Sequence, residues 1–263
     1  MTGNIQNIIV IESLGKKNSV NFSGESLYND FIKNRIIIYE KEIFHKFHKV
    51  ENINQFFAVI ENYISNSSFM PSGIVIHLEM HGDKELKGLI FSNGSLIKWE
   101  QLVDLFRKIN VMSCNNLFIT MGTCNGRYLY RGVKAEKKSP YSAYISASIE
   151  VSQEEVYTKF GKLFEELITC GNIIESYLKM EKTKSNFFFK DSETTFEEAF
   201  ESTMQKFTAN SVLREQMLNK SIELIKLETG VNIYKEDADL ILKIATENIY
   251  KKYKKAFDFT TCK

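Results

Sequence analysis

Four short, mostly apolar runs constrain this chain more than any other feature: Ile8–Ile11, Ile74–Met80, Leu117–Met121 and Tyr141–Ser148. Each is rich in β-branched or aromatic residues and only a few residues long. Runs of that kind read as strands buried on both faces, because a strand with one wet face alternates apolar and polar residues. Between them lie stretches with helical spacing. Ser23-Gly24-Glu25-Ser26 opens one, with Ser23 or Ser26 as N-cap, followed by Leu27, Tyr28, Phe31 and Ile32. Ile53, Phe56, Phe57, Ile60 and Ile64 mark a second, and Leu102, Val103, Leu105, Phe106 and Ile109 a third. Strands of this type separated by helices predict an α/β fold. We expect a three-layer sandwich with a mostly parallel sheet of about six strands between helices.

Other elements fill in the order. Ile5–Ile11 is read as the first strand, Arg35–Tyr39 as a second apolar run, and Gly88–Trp99 as a hairpin turning at Ser92-Asn93-Gly94. Pro71-Ser72-Gly73 breaks the chain ahead of the Ile74 strand. His45 and His48 are expected on a surface loop or helix. Beyond Ser148 the sequence predicts helices over Gln153–Ile168, Asn172–Met180 and Thr195–Phe207, with a short strand at Asn186–Phe189. From Ser211 the chain reads as charged helix, so the expected organisation is a domain over 1–207 and a helical extension over 208–263 packed on it. The last helix carries Leu242, Ala245, Ile249, Tyr253 and Ala256 on one stripe, beside a lysine-rich face.

Composition excludes several classes. Lys+Arg number 34 against 33 Asp+Glu, so bulk charge drives binding neither to nucleic acid nor to a membrane surface. No run approaches the 18 or so apolar residues of a membrane span, and no secretory leader is visible, so the expected location is the cytoplasm. The four cysteines, Cys114, Cys124, Cys170 and Cys262, form no paired motif and are read as free thiols. No dinucleotide or phosphate-loop fingerprint occurs, no residue cluster has metal-ligand spacing, and no cofactor is expected.

Chemistry concentrates where two strands end, the place where ligands meet parallel sheets. The third strand runs Ile74-Val75-Ile76-His77-Leu78-Glu79-Met80-His81-Gly82, and the fourth runs Leu117-Phe118-Ile119-Thr120-Met121-Gly122-Thr123-Cys124-Asn125-Gly126. If the strands are neighbours, His81 and Cys124 project at one edge. An imidazole there can activate a thiol as nucleophile, and the backbone N–H groups of Gly82 and Cys124 can hold an oxyanion. His77 and His81 are about 13 Å apart on an extended strand, too far to share a metal. His77 is read as a satisfied core histidine.

A His-Gly ending one buried strand and a Cys-Asn-Gly ending the next resembles the caspase-like cysteine peptidases, the clan of caspases, metacaspases, separase and bacterial caspase-like and CHAT proteins. The likeness covers about residues 5–170. The caspase Q-A preceding the cysteine is missing here, where Gly122-Thr123 stand, while C-x-G is present. The resemblance implies a His81 base, a Cys124 nucleophile and a protein or peptide substrate. A regulatory protein partner and a stress or antiviral defence role belong to the same expectation, and neither nucleic acid nor membrane is an expected partner. Ser146-Ala147-Ser148-Ile149-Glu150 is similar to the metacaspase stretch whose acid binds a basic side chain. On that likeness Glu150, with Glu12 at the end of the first strand, would line a pocket for Arg or Lys. The stretch Arg131–Pro140 corresponds to the linker that caspases cleave on activation, which makes Lys137 and Lys138 candidate self-cleavage sites. The alternative reading is a non-catalytic scaffold of the same fold that works by binding a protein.

Overall fold

The computed structural model describes residues 3–15, 23–65, 73–182, 185–209 and 211–259. Pro71, Ser72 and Cys262 therefore lie outside the described residues, as does any account of the break ahead of the Ile74 strand beyond Gly73.

The first strand, β1 (Asn7–Ser13), is buried along its whole length. A helical stretch follows: α1 (Gly24–Leu27), a wider π-helical turn over Tyr28–Lys33, and α2 (Asn34–Ile38). Ser23 is the cap, its hydroxyl accepting the Ser26 N–H at 3.2 Å. Next come β2 (Phe44–Lys49), α3 (Ile53–Ser65) and β3 (Ile74–Gly82), then a hairpin of β4 (Gly88–Ile90) and β5 (Leu96–Lys98). The chain continues through α4 (Trp99–Met112), β6 (Leu117–Met121), a 3-10 helix over Gly126–Gly132, and β7 (Ala143–Ala147). It proceeds to α5 (Gln153–Cys170), α6 (Ile173–Glu181), β8 (Phe187–Asp191), α7 (Ser192–Ala209), α8 (Ser211–Thr229) and α9 (Lys235–Phe257).

The strands form one sheet in the order β2-β1-β3-β6-β7-β8, with the β4–β5 hairpin attached to the end of β3. All neighbours along this path run parallel except β8, which pairs antiparallel with β7. Ile8, Val10, Val75 and Phe118 pack on one face with Leu27, Phe160, Phe164 and Leu167. Their strand neighbours Ile9, Ile11, Ile76, Leu78, Ile119 and Met121 are equally buried and line the other face. The expected α/β sandwich, with a mostly parallel sheet between helices, is the fold observed.

His45 and His48 correct the expectation of a loop or helix. They lie on β2, the edge strand, in register with Ile8 and Ile11 of β1. The sequence Phe44-His45-Lys46-Phe47-His48-Lys49 hides this because an edge strand is half wet and needs no continuous apolar run. The two imidazoles point to opposite sides, as residues three apart on a strand must. His45 Nδ1 is 2.7 Å from the Tyr28 hydroxyl, and His48 Nε2 is 2.8 Å from the Tyr63 hydroxyl.

Internal contacts divide the chain into a unit of residues 1–133 with 139–195 and a unit of residues 134–138 with 196–263. The division falls inside α7, ahead of the 207/208 boundary read from the sequence. Its cause is aromatic: Phe196 and Phe200 of α7 join Tyr250 and Phe257 of α9, with ring centroids 5.1–6.0 Å apart in the contacts they make. In the same unit the Lys138 ammonium donates to the Asp258 carbonyl and sits over the Phe259 ring. Lys138 is therefore held, whereas Lys137 is exposed. Among the described residues, no helix is long and apolar enough to cross a membrane.

Candidate active site

Strand β3 sits between β1 and β6 and runs further than either, so its last residues reach past the sheet edge. Alternation places His77, Glu79 and His81 on one face, the face covered by α5. Strand β6 ends at Met121, and the Gly122 N–H donates to the Leu78 carbonyl at 2.9 Å, which keeps the two chains together beyond the last ladder pair. Asn125 then takes a left-handed conformation, with φ of 59°, and starts the 3-10 helix. Asn tolerates that region better than most residues. Cys124 is thus carried on a sharp strand-to-helix turn.

The two strand ends meet through backbone. A Cβ on Gly82 would lie 1.9 Å from the carbonyl oxygen of Cys124, so no side chain fits there. Only glycine permits that approach. The hydrogen-bond parity of β3 fixes where the Gly82 N–H points. The Leu78 carbonyl faces β6, and residues two apart on a strand face the same side, so Met80 and Gly82 face that side as well. The opposite side is taken by β1 and then by β4, which pairs His81 with Ile90. The Asp83 N–H to the Gly88 carbonyl, 3.0 Å, continues the same alternation. The Gly82 N–H is left on the side where Cys124 lies.

One pocket opens at this junction. His81 and Cys124 both line it, with Glu79, Gly122, Leu14 after β1, Val151 ahead of α5, and Gln153 and Val156 from the start of α5. Cys124 is half-buried. Its sulfur accepts the Val151 N–H at 3.5 Å, and the Asn125 N–H donates to the Ile149 carbonyl at 3.3 Å. The segment between β7 and α5 therefore straps the Cys124 turn. Ser152 ends that segment as the α5 N-cap, its hydroxyl accepting the Glu155 N–H at 3.1 Å.

Glu150 belongs to this strap, but it is exposed and is not among the residues lining the pocket. Glu12 is 1% exposed and does not line the pocket either. Its carboxylate accepts the Glu25 N–H at 3.1 Å and pairs with Lys49 at 3.3 Å. The structure thus brings His81, Gly82 and Cys124 together and leaves both expected specificity acids outside the pocket walls.

A row of polar groups lies beneath the pocket. Thr120, His77, Glu79 and Glu12 are all buried, on cross-strand neighbours of β6, β3 and β1. His77 Nδ1 is 2.9 Å from the Thr120 hydroxyl, and Nε2 is 3.4 Å from a Glu79 carboxylate oxygen. The His77 ring lies against Phe160 and Phe164, at 4.8 and 5.4 Å between centroids. Burial pushes His77 down to about 3, so the imidazole is neutral. Burial, and then the neighbouring charge of Glu12, hold Glu79 well above the usual carboxylate range. The signal available in the sequence was the spacing His77-x-Glu79-x-His81, which sets three ionisable groups on one face of an otherwise apolar strand.

No family model matches the sequence, and no curated protein matches it. A solved structure does. The chain is similar to the crystal structure of the Drosophila initiator caspase Dronc, with 11% identity and a TM-score of 0.47, over 73% of this chain and 82% of that one. Among the described residues no group of three or more His, Cys, Asp or Glu side chains is placed to hold a metal ion.

Proposed function

We propose that this chain is a cysteine endopeptidase that works through a His81–Cys124 dyad. The observation that carries the reading is the packing of Gly82 on the Cys124 backbone, which puts the His81 strand end and the Cys124 turn in one pocket. In the proposed reaction His81 takes the thiol proton, and the sulfur attacks the carbonyl carbon of the peptide bond. The negative charge on the carbonyl oxygen is received by the N–H groups of Gly82 and Cys124. Collapse of this intermediate breaks the C–N bond, with His81 returning the proton to the leaving amine. A thioester remains. Water, deprotonated by His81, attacks it and restores the thiol. Val151 N–H, aimed at the sulfur, supports this reading by holding the thiol in place at the pocket wall.

Cleavage after Arg or Lys belongs to the same proposal, as does the protein nature of the substrate. A role as a regulated effector in stress or defence follows from the sequence resemblance to bacterial caspase-like proteins. The test is a peptide probe carrying a thiol-reactive group. It should label Cys124 and leave Cys114, Cys170 and Cys262 unmodified, and labelling spread over all four sulfurs would sink the proposal.

A further inference from the structure

Two buried acids lie side by side near the pocket, and only one of them is electrically matched. Glu12 has the Lys49 ammonium at 3.3 Å and the Glu25 N–H at 3.1 Å. Glu79 is 2% exposed, and its partner is His77 Nε2 at 3.4 Å. That imidazole is neutral, because burial pushes it down to about 3. Among the described residues no Lys or Arg pairs with Glu79. Yet Glu79, unlike Glu12, lines the pocket that Cys124 shares. A desolvated acid without a counter-ion keeps its proton, and a cation that reaches it favours the carboxylate, so an arriving guanidinium or ammonium takes the place of that proton. Leu14 and Val156 give the pocket an apolar wall, which suits the methylene stem of a long basic side chain. Glu150 is exposed, and an ion pair in open water contributes little.

We infer that Glu79 is the specificity-determining acid of this pocket, receiving the guanidinium or ammonium of an Arg or Lys side chain beside the bond that Cys124 attacks. The assignment rests on the peptidase reading for what that cation belongs to. It moves the basic-side-chain site from the exposed strap, where sequence resemblance put it, to the buried row under the pocket.

The test measures binding without turnover. In the Cys124→Ala chain, N-acetyl-arginine amide is titrated against N-acetyl-citrulline amide, which has nearly the same shape and no charge. The arginine probe should bind about tenfold or more tightly, the range of a charged hydrogen bond. Adding Glu79→Gln, which can still bond to His77, should bring the two probes within about twofold. Glu79→Met serves if the Gln variant does not fold. Adding Glu150→Gln instead should keep the arginine preference. No preference for the arginine probe, a preference that survives both Glu79 variants, or one abolished by Glu150→Gln overturns the assignment. The peptidase reading is tested apart, by alkylation of Cys124 in the unsubstituted chain. A chain that binds arginine through Glu79 but is never alkylated at Cys124 keeps the cation site and loses the peptidase. One that is alkylated without any dependence on Glu79 does the reverse.

Discussion

The space that a Gly82 side chain would fill belongs to the carbonyl oxygen of Cys124, 1.9 Å from the ideal Cβ position. Gly82→Ala must therefore push two backbones apart. We expect it to destabilise the fold by about 1–3 kcal/mol, the usual range for overpacking. It should also slow alkylation of Cys124 by a peptide probe more than alkylation by iodoacetamide. Equal effects on both reagents would show that the contact supports packing alone.

Cys124→Ala should leave the fold nearly intact and remove turnover. The sulfur's bond from the Val151 N–H is a weak one, so the stability change should stay within about 1 kcal/mol. Loss of the nucleophile should lower kcat by at least about a thousandfold. Peptidase activity near the unsubstituted level would remove Cys124 from the mechanism.

His77 and Glu79 should shape stability against pH in opposite directions. His77 is depressed from 6.5 to about 3. The unfolded chain takes up a proton below 6.5 that the folded chain refuses. Stability is then full above 6.5 and falls as pH drops toward 3, by at most about 1.4 kcal/mol per unit. Glu79 is raised above 4.5, so the folded chain keeps a proton that the unfolded one releases, and stability falls as pH rises above that value. The groups around them are Glu12 from β1, Lys49 and Glu25 beyond it, and the uncharged rings of Phe160 and Phe164. Denaturant melts from pH 4 to 8 should show Glu79→Gln losing the decline on the alkaline side. A Gln variant with an unchanged profile would contradict the buried-acid account.

Phe160 is fully buried and touches the His77 ring on one side and Phe187 of β8 on the other, each 4.8 Å between centroids. Phe160→Ala should cost about 3–5 kcal/mol. Because the cavity would open beside His77, water should reach the imidazole and bring its titration back toward the ordinary range. An NMR titration of the His77 ring protons checks this, and an imidazole that stays neutral to about pH 3 would count against it.

The central strands were legible because burial on both faces writes itself as a mostly apolar run; the β-branched Ile8–Ile11 of β1 is the plain case. So were helices with caps, such as Ser23 ahead of α1 and the segment that became α5. Strand β2 was not, since its edge position lets Lys46 and Lys49 alternate with half-buried His and Phe. The boundary between the two units was hidden for a different reason. It depends on Phe196 meeting Tyr250, 54 positions away, which no local pattern encodes. At the site, strand ends carrying His-Gly and Cys-x-Gly could be found by spacing. The buried charge pattern could not, because whether Glu12 or Glu79 has a cation depends on which strand lies beside which. Parallel register puts Lys49 of β2 across from Glu12 and leaves Glu79 one strand further in.

The crossovers of the sheet also set when the pocket can exist. Its walls come from residues as far apart as Leu14 and Val156, delivered by separate parallel strands and by the start of α5. Parallel neighbours cannot close through a tight turn, so every one of these meetings is long-range and slow to form. During synthesis, which releases the N-terminal end first, Cys124 leaves the ribosome well before Val151 and the α5 cap that hold its sulfur. The nascent chain carries an unshaped thiol until α5 has emerged, and the pocket exists only in a nearly finished first unit.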